Sequence, residues 1–295
     1  MRYGVQAVLT GYGVDPRVLA RAVEERGFDA LLLTEHTHIP ACRATPFPGG
    51  GELPRKYAHP LDPFVALASM AAVTERIALG TAVCLVAQHD PIVLAKTVAS
   101  LDLISGGRVE LGVGLGWNRE ELAHHGVDPR TRAARVRECV LAMRELWTRD
   151  EAEFHGEFVD FGPAWSWPKP VRVPPVALGG RHPAVLHRVA EYGDGWIPPR
   201  VPPADLGRFA RQVAELRERV GAAGRGPLTV TVVGAEPEPP VLSAYAEAGV
   251  DRVAFELPDP VAAGDGGRDG RGTDAVLHLL DRLAGLTAEH TGGHR

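Results

Sequence analysis

Glu35 and His36 are the adjacent residues with the clearest chemical potential, because they follow a nearly continuous apolar run over residues 29–34. A carboxylate beside an imidazole can orient a bound cofactor or move a proton near neutral pH. Two other interpretations are open: a solvated strand end, or a metal site made by Glu35, His36 and His38. Since the sequence offers no further ligand at metal spacing, we predict no metal site and take Glu35 and His36 as the candidate catalytic pair.

A glycine-rich stretch over residues 112–118 (GVGLGWN) follows another apolar run. Glycine lets a backbone approach a ligand closely, so we expect Gly114 to contact a cofactor. The stretch is not a dinucleotide-binding fingerprint, because Trp117 stands where that motif needs its third glycine. Asn118 and Glu121 have the spacing of a helix N-cap and its reciprocal partner, a structural role that can coexist with ligand contact.

Gly179, Gly180 and Arg181 form a second glycine-rich turn, just ahead of Pro183. Two glycines before a helix N-terminus present backbone N–H groups to an anion, and a guanidinium adds a planar cation. An ordinary turn with Pro183 at the first helical position is the alternative. We predict that this turn binds phosphate.

These motifs lie on alternating strands and helices. Apolar runs typical of buried parallel strands recur eight times, and helical spacing follows each of them. The predicted strands span residues 5–9, 29–34, 77–83, 108–114, 175–178, 195–197, 228–233 and 252–256. Eight such units predict an α/β fold, a TIM (β/α)8 barrel, more strongly than an open sheet.

The barrel prediction includes two inserts and one repeated junction. Residues 37–59 follow strand 2, and residues 151–174 precede strand 5, with a hairpin predicted around residues 155–156. Gly27, Gly193 and Gly249 are predicted to end helices in the left-handed conformation. We expect one barrel domain over residues 1–286 and a disordered tail over residues 287–295.

Composition excludes several function classes. The 295 residues are 45% hydrophobic and 23% charged with a net charge of −5, which excludes wholesale disorder and gives no basic block for nucleic acid. No apolar run reaches the roughly 18 residues of a membrane span, and no secretory signal pattern is present. Three cysteines without metal spacing predict a reducing, cytoplasmic location. We expect the partner of this protein to be a small-molecule substrate.

Taken in order, several short segments resemble the luciferase-like monooxygenase superfamily, in particular its oxidoreductases that use the deazaflavin coenzyme F420. The resemblance is dense over residues 27–198 and loose elsewhere. The segments that carry it are Gly27-Phe28-Asp29, Glu35-His36, residues 74–81 (TERIALGT), Asp90-Pro91, residues 103–108 (LISGGR), residues 112–118 (GVGLGWN), residues 154–158 (FHGEF), Pro168-Lys169-Pro170 and residues 193–196 (GDGW).

The resemblance implies a flavin or deazaflavin at the C-terminal mouth of the barrel. It places Glu35 and His36 beside the reactive ring. It also implies a bulge behind the ring, often with a non-proline cis peptide, a polar contact to the cofactor, a phosphate-binding turn, and a homodimer. The cofactor-binding residues implied in this way are Ala82, Val83, Gly114, Asn118, Gly179, Gly180 and Arg181.

The implied activity is hydride transfer between C5 of reduced coenzyme F420 and an unsaturated or carbonyl-type organic substrate, with His36 donating or relaying a proton. An FMN-dependent monooxygenase and a non-catalytic flavin-binding barrel are the alternatives. Related glucose-6-phosphate dehydrogenases carry acids where this chain has Leu9-Thr10 and Trp117, so sugar-phosphate oxidation is not expected. Aromatic residues predict a less polar substrate pocket formed by Phe47, Trp117, Trp165 and Trp167.

Overall fold

The computed structural model describes residues 1–258 and 271–292. These residues form ten strands, which are β1 (Arg2–Ala7), β2 (Ala30–Leu33), β3 (Ala78–Cys84), β4 (Val109–Val113), β5 (Ala152–His155), β6 (Asp160–Ala164), β7 (Val176–Gly179), β8 (Gly195–Ile197), β9 (Thr229–Val233) and β10 (Arg252–Glu256). They also form nine α-helices, which are α1 (Pro16–Glu25), α2 (Pro63–Ala71), α3 (Pro91–Ser105), α4 (Arg119–His124), α5 (Arg132–Thr148), α6 (Ala184–Tyr192), α7 (Leu206–Ala222), α8 (Pro239–Glu247) and α9 (Arg271–Gly292). None of the described helices is long and apolar enough to cross a membrane.

Eight strands pair in parallel and close into a barrel in the order β1-β2-β3-β4-β7-β8-β9-β10. Val5 of β1 pairs with Phe255 of β10 where the barrel closes. The helices surround the strands, and the apolar core fills the space between the two layers. The predicted α/β TIM barrel is therefore confirmed.

Three helices begin at an Asp-Pro pair. The side chains of Asp15, Asp62 and Asp90 accept hydrogen bonds from backbone N–H groups in the first turns of α1, α2 and α3. Asp90, for example, accepts from the amides of Ile92 and Val93 at 2.9 Å. Because proline lacks an N–H and has a helical φ, each pair both caps and starts its helix.

The structure corrects three details of the sequence prediction. β1 spans Arg2–Ala7 rather than residues 5–9. α9 runs to Gly292, so residues 287–292 are helical, whereas a disordered tail was predicted; residues 293–295 lie outside the described part of the chain. Gly27 and Gly249 do have positive φ, at 79° and 82°, but Gly193 has a φ of −92°. Gly193 instead makes room, since a Cβ there would lie 3.1 Å from Cα of Val189.

The two inserts lie at opposite ends of the barrel. Residues 37–59 leave the carboxyl end of β2 and contain one short 3-10 turn, Arg55–Ala58. β5 and β6 form the predicted antiparallel hairpin, outside the barrel. This second insert joins the C-terminus of α5 to the start of β7, so it meets the barrel at its amino-terminal rim.

A buried ion network closes the amino-terminal end of the barrel. The Arg252 side chain is only 1% exposed. Its guanidinium donates to Glu110 at 2.6 and 3.1 Å and to Asp29 at 2.9 and 3.1 Å. Burial would raise the pKa of Glu110, but the bonds from Arg252 outweigh it and hold that pKa below its usual value.

Candidate active site

A cavity of about 730 Å³ opens at the carboxyl end of the barrel, where TIM-barrel sites form. Residues at the ends of β2, β3, β4 and β7, together with the first insert, line it. Its volume lies within the roughly 300–1,000 Å³ typical of small-molecule sites. Of the predicted site residues, His36, Phe47, Trp117 and the two glycine-rich turns meet around this cavity.

The wall at the end of β3 is a backbone bulge. The Ala82–Val83 peptide is cis and the pairing register with β4 shifts there, which confirms the predicted bulge and its cis bond. The Ala82 carbonyl accepts hydrogen bonds from Gln6 Nε2 at 2.9 Å and from Thr34 Oγ1 at 3.0 Å. Side chains from β1 and from the end of β2 thus hold the bulge in place.

Glu35 supports the bulge from behind. Its carboxylate accepts from the Leu85 amide at 2.5 Å and from His89 Nε2 at 2.8 Å, and its side chain is 2% exposed. Burial would raise the pKa of Glu35, but the bonds from His89 and Leu85 outweigh it and hold that pKa below its usual value. Its contacts fit a positioning role, and they do not support the predicted role as one half of a catalytic pair.

Glu35, Cys84 and His89 bring an oxygen, a sulfur and a nitrogen within 4.8 Å of one another. Burial, with Glu35 nearby, raises the pKa of the Cys84 thiol well above its usual value. The side chains hydrogen-bond to one another. This cluster differs from the alternative site of Glu35, His36 and His38 considered above.

His36 is 7% exposed, and both of its ring nitrogens are engaged. Its Nδ1 lies 2.8 Å from Oε2 of Glu121, and its Nε2 lies 3.1 Å from Nε1 of Trp117. An indole N–H can only donate, so Nε2 of His36 is the acceptor and carries no proton. The proton of the neutral ring is therefore on Nδ1, where it is donated to Glu121.

The start of α4 shows the structural role of Asn118. Its Oδ1 accepts from the amides of Glu120 and Glu121 at 3.2 and 3.1 Å, so it is the expected N-cap. The residue is fully buried and does not line the cavity, and its Nδ2 has no partner among the described residues, so cofactor contact stays a prediction. Glu121 does not return to Asn118 as its reciprocal partner, because its carboxylate binds His36 and the Thr37 amide.

Three aromatic residues cover the cavity near His36. The rings of Phe47 and Tyr57 come from the first insert, with centroids 5.2 Å apart, and Trp117 lies 5.9 Å from Phe47. Burial, with Glu256 nearby, raises the pKa of Tyr57 to about 12, so its hydroxyl stays protonated. Phe47, Tyr57 and Trp117 are called the aromatic roof below.

Trp165 and Trp167 do not belong to this cavity. Their side chains are 80% and 58% exposed. Trp165 donates to Glu151, and the Trp167 carbonyl accepts from Lys96. Both follow the β5–β6 hairpin in the second insert, which enters β7 from the amino-terminal rim, so the substrate-pocket prediction was wrong for them.

Gly114 and Gly179 make room for the bulge. A Cβ on Gly114 would lie 2.3 Å from Cγ2 of Val83, and one on Gly179 would lie 2.7 Å from Cγ1. Both glycines line the cavity, as predicted, and together they form the glycine notch that receives the Val83 side chain. The absence of a side chain at both glycines therefore shapes the wall of the cavity by leaving room for Val83.

The far end of the cavity is cationic. Arg181, His182 and Arg188 line it ahead of and within α6. The Gly180 amide donates to the Ile197 carbonyl at 3.1 Å, so it is not free to bind an anion as predicted. Among the described residues, the amides of Arg181 and His182 have no protein acceptor, which moves the candidate anion site one residue along the chain.

Sequence reasoning missed Tyr57, His89 and the link between Glu121 and His36. Glu121 stands 85 residues from His36, and its N3 position gave a sufficient local explanation. For Glu35, the signal available in the sequence was its position directly before His36. Adjacent side chains on an extended backbone point to opposite sides, a rule that does not predict shared partners for the two residues. Both residues line the cavity, but their side chains bind different partners, since Glu35 accepts from Leu85 and His89 whereas His36 pairs with Glu121.

Comparisons with known proteins agree with this geometry. An uncharacterized protein of Mycobacterium tuberculosis is 44% identical over 294 residues, which cover 98% of this chain and 99% of that protein. An F420-dependent glucose-6-phosphate dehydrogenase of Gordonia bronchialis is 34% identical over 194 residues, 62% of this chain and 53% of that enzyme. The crystal structure of the monooxygenase RslO1 from Streptomyces bottropensis has the same fold, with a TM-score of 0.76 at 20% identity over 100% of this chain and 99% of that chain.

The family profile itself matches residues 15–251, which include every wall of the cavity except the contribution of Gln6 to the bulge. With the closed barrel, the bulge at its mouth and these relatives, the chain belongs to the luciferase-like monooxygenase family.

Proposed function

We propose that this protein is an oxidoreductase that binds a deazaflavin of the coenzyme F420 type and moves hydride between it and an organic substrate. The observation that carries the proposal is the placement of three features around one cavity. These are the Val83 bulge, the His36 ring and the cationic end formed by Arg181 and Arg188.

The residues fit a flat ring with an anionic tail. Val83, Leu85 and Ile197 give the cavity an apolar wall on which a ring can pack. Arg181 and two free amides ahead of α6 suit a phosphate, because an unpaired helix N-terminus carries partial positive charge. Flavin mononucleotide shares both features, so the ring and the phosphate alone do not decide between the two cofactors.

The deazaflavin is favoured by the relatives that this chain matches in sequence. The F420-dependent dehydrogenase of Gordonia bronchialis is 34% identical, whereas the monooxygenase from Streptomyces bottropensis is 20% identical. We therefore propose coenzyme F420 first, an FMN-dependent monooxygenase second, and a non-catalytic binding barrel third. A sugar phosphate is not the proposed substrate, because Trp117 and the aromatic roof replace acidic and polar groups at the mouth.

The chain would orient the bound cofactor, exclude water from the reacting face and supply a proton acceptor. When bound, a deazaflavin supplies or accepts hydride at its C5 carbon. The bulge fixes the ring plane, the cationic end holds the tail, and the aromatic roof excludes water from the reacting face. His36 offers Nε2 to a proton that leaves the substrate, and Glu121 stabilises the imidazolium that results.

Cofactor choice is tested by titrating the purified protein with coenzyme F420 and with FMN, following fluorescence quenching. We expect saturable quenching of F420 at micromolar concentration and none of FMN. Saturation by FMN alone would replace the first proposal by the second. Binding of F420 without turnover over a panel of alcohols, aldehydes, ketones, enones and imines would support the third.

The role of His36 is tested in single-turnover hydride transfer with His36→Ala and His36→Gln. Loss of a proton-transfer group costs about 10²–10⁴-fold in rate. We expect such a loss with F420 affinity within about threefold of the wild type. The glutamine variant preserves side-chain volume if the alanine variant does not fold. An unchanged rate in either folded variant would remove His36 from the mechanism.

A further inference from the structure

We propose that His38, His124 and His125 form a proton-sensitive fastening, which holds the start of the first insert against α4 near neutral pH and releases it as the pH falls toward 5. Phe47 of the aromatic roof follows this part of the insert, so its release loosens the cover of the cavity. The proposal goes beyond the proposed function, because it does not depend on which cofactor or substrate the cavity binds.

Four side chains make a continuous hydrogen-bonded chain between the insert and α4. Oγ1 of Thr37 lies 3.0 Å from Nδ1 of His38 and 2.8 Å from Nε2 of His125, and Nε2 of His38 lies 2.9 Å from Nδ1 of His124. Thr37 and His38 begin the insert, whereas His124 and His125 are the last residue and the C-cap of α4. The chain therefore joins two segments that are far apart in the sequence.

The rings of His38 and His124 meet end to end. Their planes lie within 7° of each other, and their centres are 5.1 Å apart. Because the ring centres are farther apart than the two facing nitrogens by about one ring width, the rings do not lie face to face. The two nitrogens therefore point at each other, which is the geometry of an N–H···N hydrogen bond.

One proton fits between these two nitrogens, and a second does not. A neutral imidazole has one donor and one acceptor nitrogen, whereas a protonated ring has two donors. If either His38 or His124 is protonated, it donates to the other ring and the bond is kept. If both are protonated, two N–H groups and two positive charges face each other across 2.9 Å, and the bond is lost.

His125 adds a second opposition to charging the cluster. Its ring centre lies 5.5 Å from that of His38. Burial, followed by His38 and His89, lowers the pKa of His125 below its usual value of 6.5, although Glu121 and Glu35 act in the opposite direction. The closed form of the insert therefore disfavours protonation of His125 as well.

The other contact between the insert and α4 does not titrate in the same pH range. Glu120 accepts from the amides of Ala44 and Thr45 at 2.9 and 3.2 Å, and bonds from these two residues lower the pKa of Glu120 to about 2. Its carboxylate is therefore ionised from pH 5 to pH 7, and the two amides can report on opening. At the other end of the insert, Lys56 pairs with Glu256 at 2.8 Å, so the opening concerns the start of the insert.

Opening of the insert is consequently coupled to proton uptake. In the open form His38 and His124 titrate independently near pH 6.5, whereas in the closed form they hold only one added proton between them. The open form of this pair binds up to one proton more, so the opening equilibrium constant should rise by up to about tenfold per pH unit below 6.5. We expect it to rise at least about fivefold between pH 6 and pH 5.

Hydrogen exchange of the Ala44 and Thr45 amides, corrected for the intrinsic exchange rate at each pH, measures this opening. His124→Gln removes one titrating ring and keeps a hydrogen-bonding side chain, so the rise between pH 6 and pH 5 should fall below about threefold. His59→Gln is the matched control and should keep the wild-type rise. His59 is an exposed residue of the same insert, and its ring contacts Tyr12 rather than the histidine cluster.

Nitrogen-15 NMR of the imidazole rings tests the shared proton directly. In the wild type, we expect the His38–His124 pair to titrate in two steps that are separated by at least about one pH unit. In His124→Gln, His38 should titrate in a single step.

Two results would overturn the proposal. One is independent, single-step titration of His38 and His124 in the wild type. The other is an equal pH dependence of amide exchange in the wild type and in His124→Gln. Neither measurement needs a bound cofactor, so failure here leaves the proposed function standing, and failure of F420 binding leaves the fastening standing.

Discussion

The two ends of the barrel both bury charged side chains, but they engage them differently. At the amino-terminal end, every donor group of the Arg252 guanidinium meets a carboxylate of Asp29 or Glu110. At the carboxyl-terminal mouth, Glu121 is equally buried, but its partner His36 borders a cavity of about 730 Å³.

The difference lies in the cavity that each network borders. The Arg252 bonds join protein side chains to one another, beside a cavity of only about 50 Å³ that Arg252 and Glu110 line. The Nε2 bond of His36 faces a cavity of about 730 Å³, which is large enough for a small-molecule ligand. Burial of charge alone therefore does not identify a functional site; the volume of the adjacent cavity separates the two ends.

Arg252→Met is expected to have the largest effect, because it removes the central cation of the ion network at the amino-terminal end of the barrel. Removing one partner of a buried ion network costs about 3–5 kcal/mol of the free energy of unfolding, because Glu110 and Asp29, whose side chains are only 26% and 25% exposed, lose their shared cation. Urea denaturation measures the loss. Cofactor affinity of the folded protein should stay within about twofold of wild type.

Arg217→Met is the matched control at the same end. Arg217 pairs with Asp251, and the two side chains are 40% and 35% exposed. An exposed pair contributes about 0–1 kcal/mol. A loss as large as that of Arg252→Met would refute the distinction between buried and exposed pairs.

Arg181→Ala is expected to act at the mouth alone. A charge-assisted hydrogen bond to phosphate contributes about 1.5–3 kcal/mol, so the Kd for F420 should rise about 10–100-fold while the free energy of unfolding changes little. Fluorescence titration measures the Kd. Arg219→Ala, on an exposed part of α7, is the control and should bind normally. Unchanged affinity in Arg181→Ala would place the anion site elsewhere.

His89→Gln is expected to change how the free energy of unfolding depends on pH. The reason is that Glu35 and His89 form a structural ion pair at the carboxyl-terminal end of the barrel. Burial would lower the pKa of His89, but Glu35 raises it above its usual value of 6.5, while the pKa of Glu35 lies below 4.5. The pair therefore stabilises most between about pH 4.5 and 6.5, by about 1–2 kcal/mol.

That stabilisation should decline as the pH rises through the folded-state pKa of His89, and again as it falls through that of Glu35. Urea denaturation of wild type and variant at several pH values measures the difference. His187→Gln, at an 81% exposed side chain, should show no such dependence. A constant difference between wild type and His89→Gln from pH 5 to pH 9 would contradict the assignment.

Trp165→Ala is the smallest expected effect, since the residue belongs to neither polar network. Its side chain is 80% exposed and loses one surface bond to Glu151. The free energy of unfolding should change by about 0.5 kcal/mol or less, and turnover should not change. A large loss of turnover would return Trp165 to the substrate pocket.

Much of the fold follows from local sequence. β10 was predicted over residues 252–256 and has those bounds, because strands buried on both faces are continuous apolar runs. α3 runs Pro91–Ser105 and is started by its Asp-Pro pair, a signal that is visible in the sequence. β1 was misplaced because Arg2 and Gly4 precede Val5 and supply no apolar side chain.

The site was predictable in place but not in detail. Strand ends and glycine turns located His36, Val83 and Arg181 at one end of a barrel, since His36 and Arg181 follow parallel strands and Val83 lies near the carboxyl end of β3. The bond between His36 and Glu121 joins residues 85 positions apart, which no local pattern specifies. Trp165 was assigned to the mouth although an insert ahead of a barrel strand belongs to the opposite rim.

The glycine notch and the aromatic roof have separate origins, with a consequence for how this enzyme can change. Val83, Gly114 and Gly179 come from three neighbouring barrel strands, so the wall is set by backbone. Phe47 and Tyr57 come from one insert, which is fastened by Glu120 and by the Lys56–Glu256 bond of 2.8 Å. Exchanging that insert for another of different shape would retune which compounds are accepted and leave the redox chemistry intact.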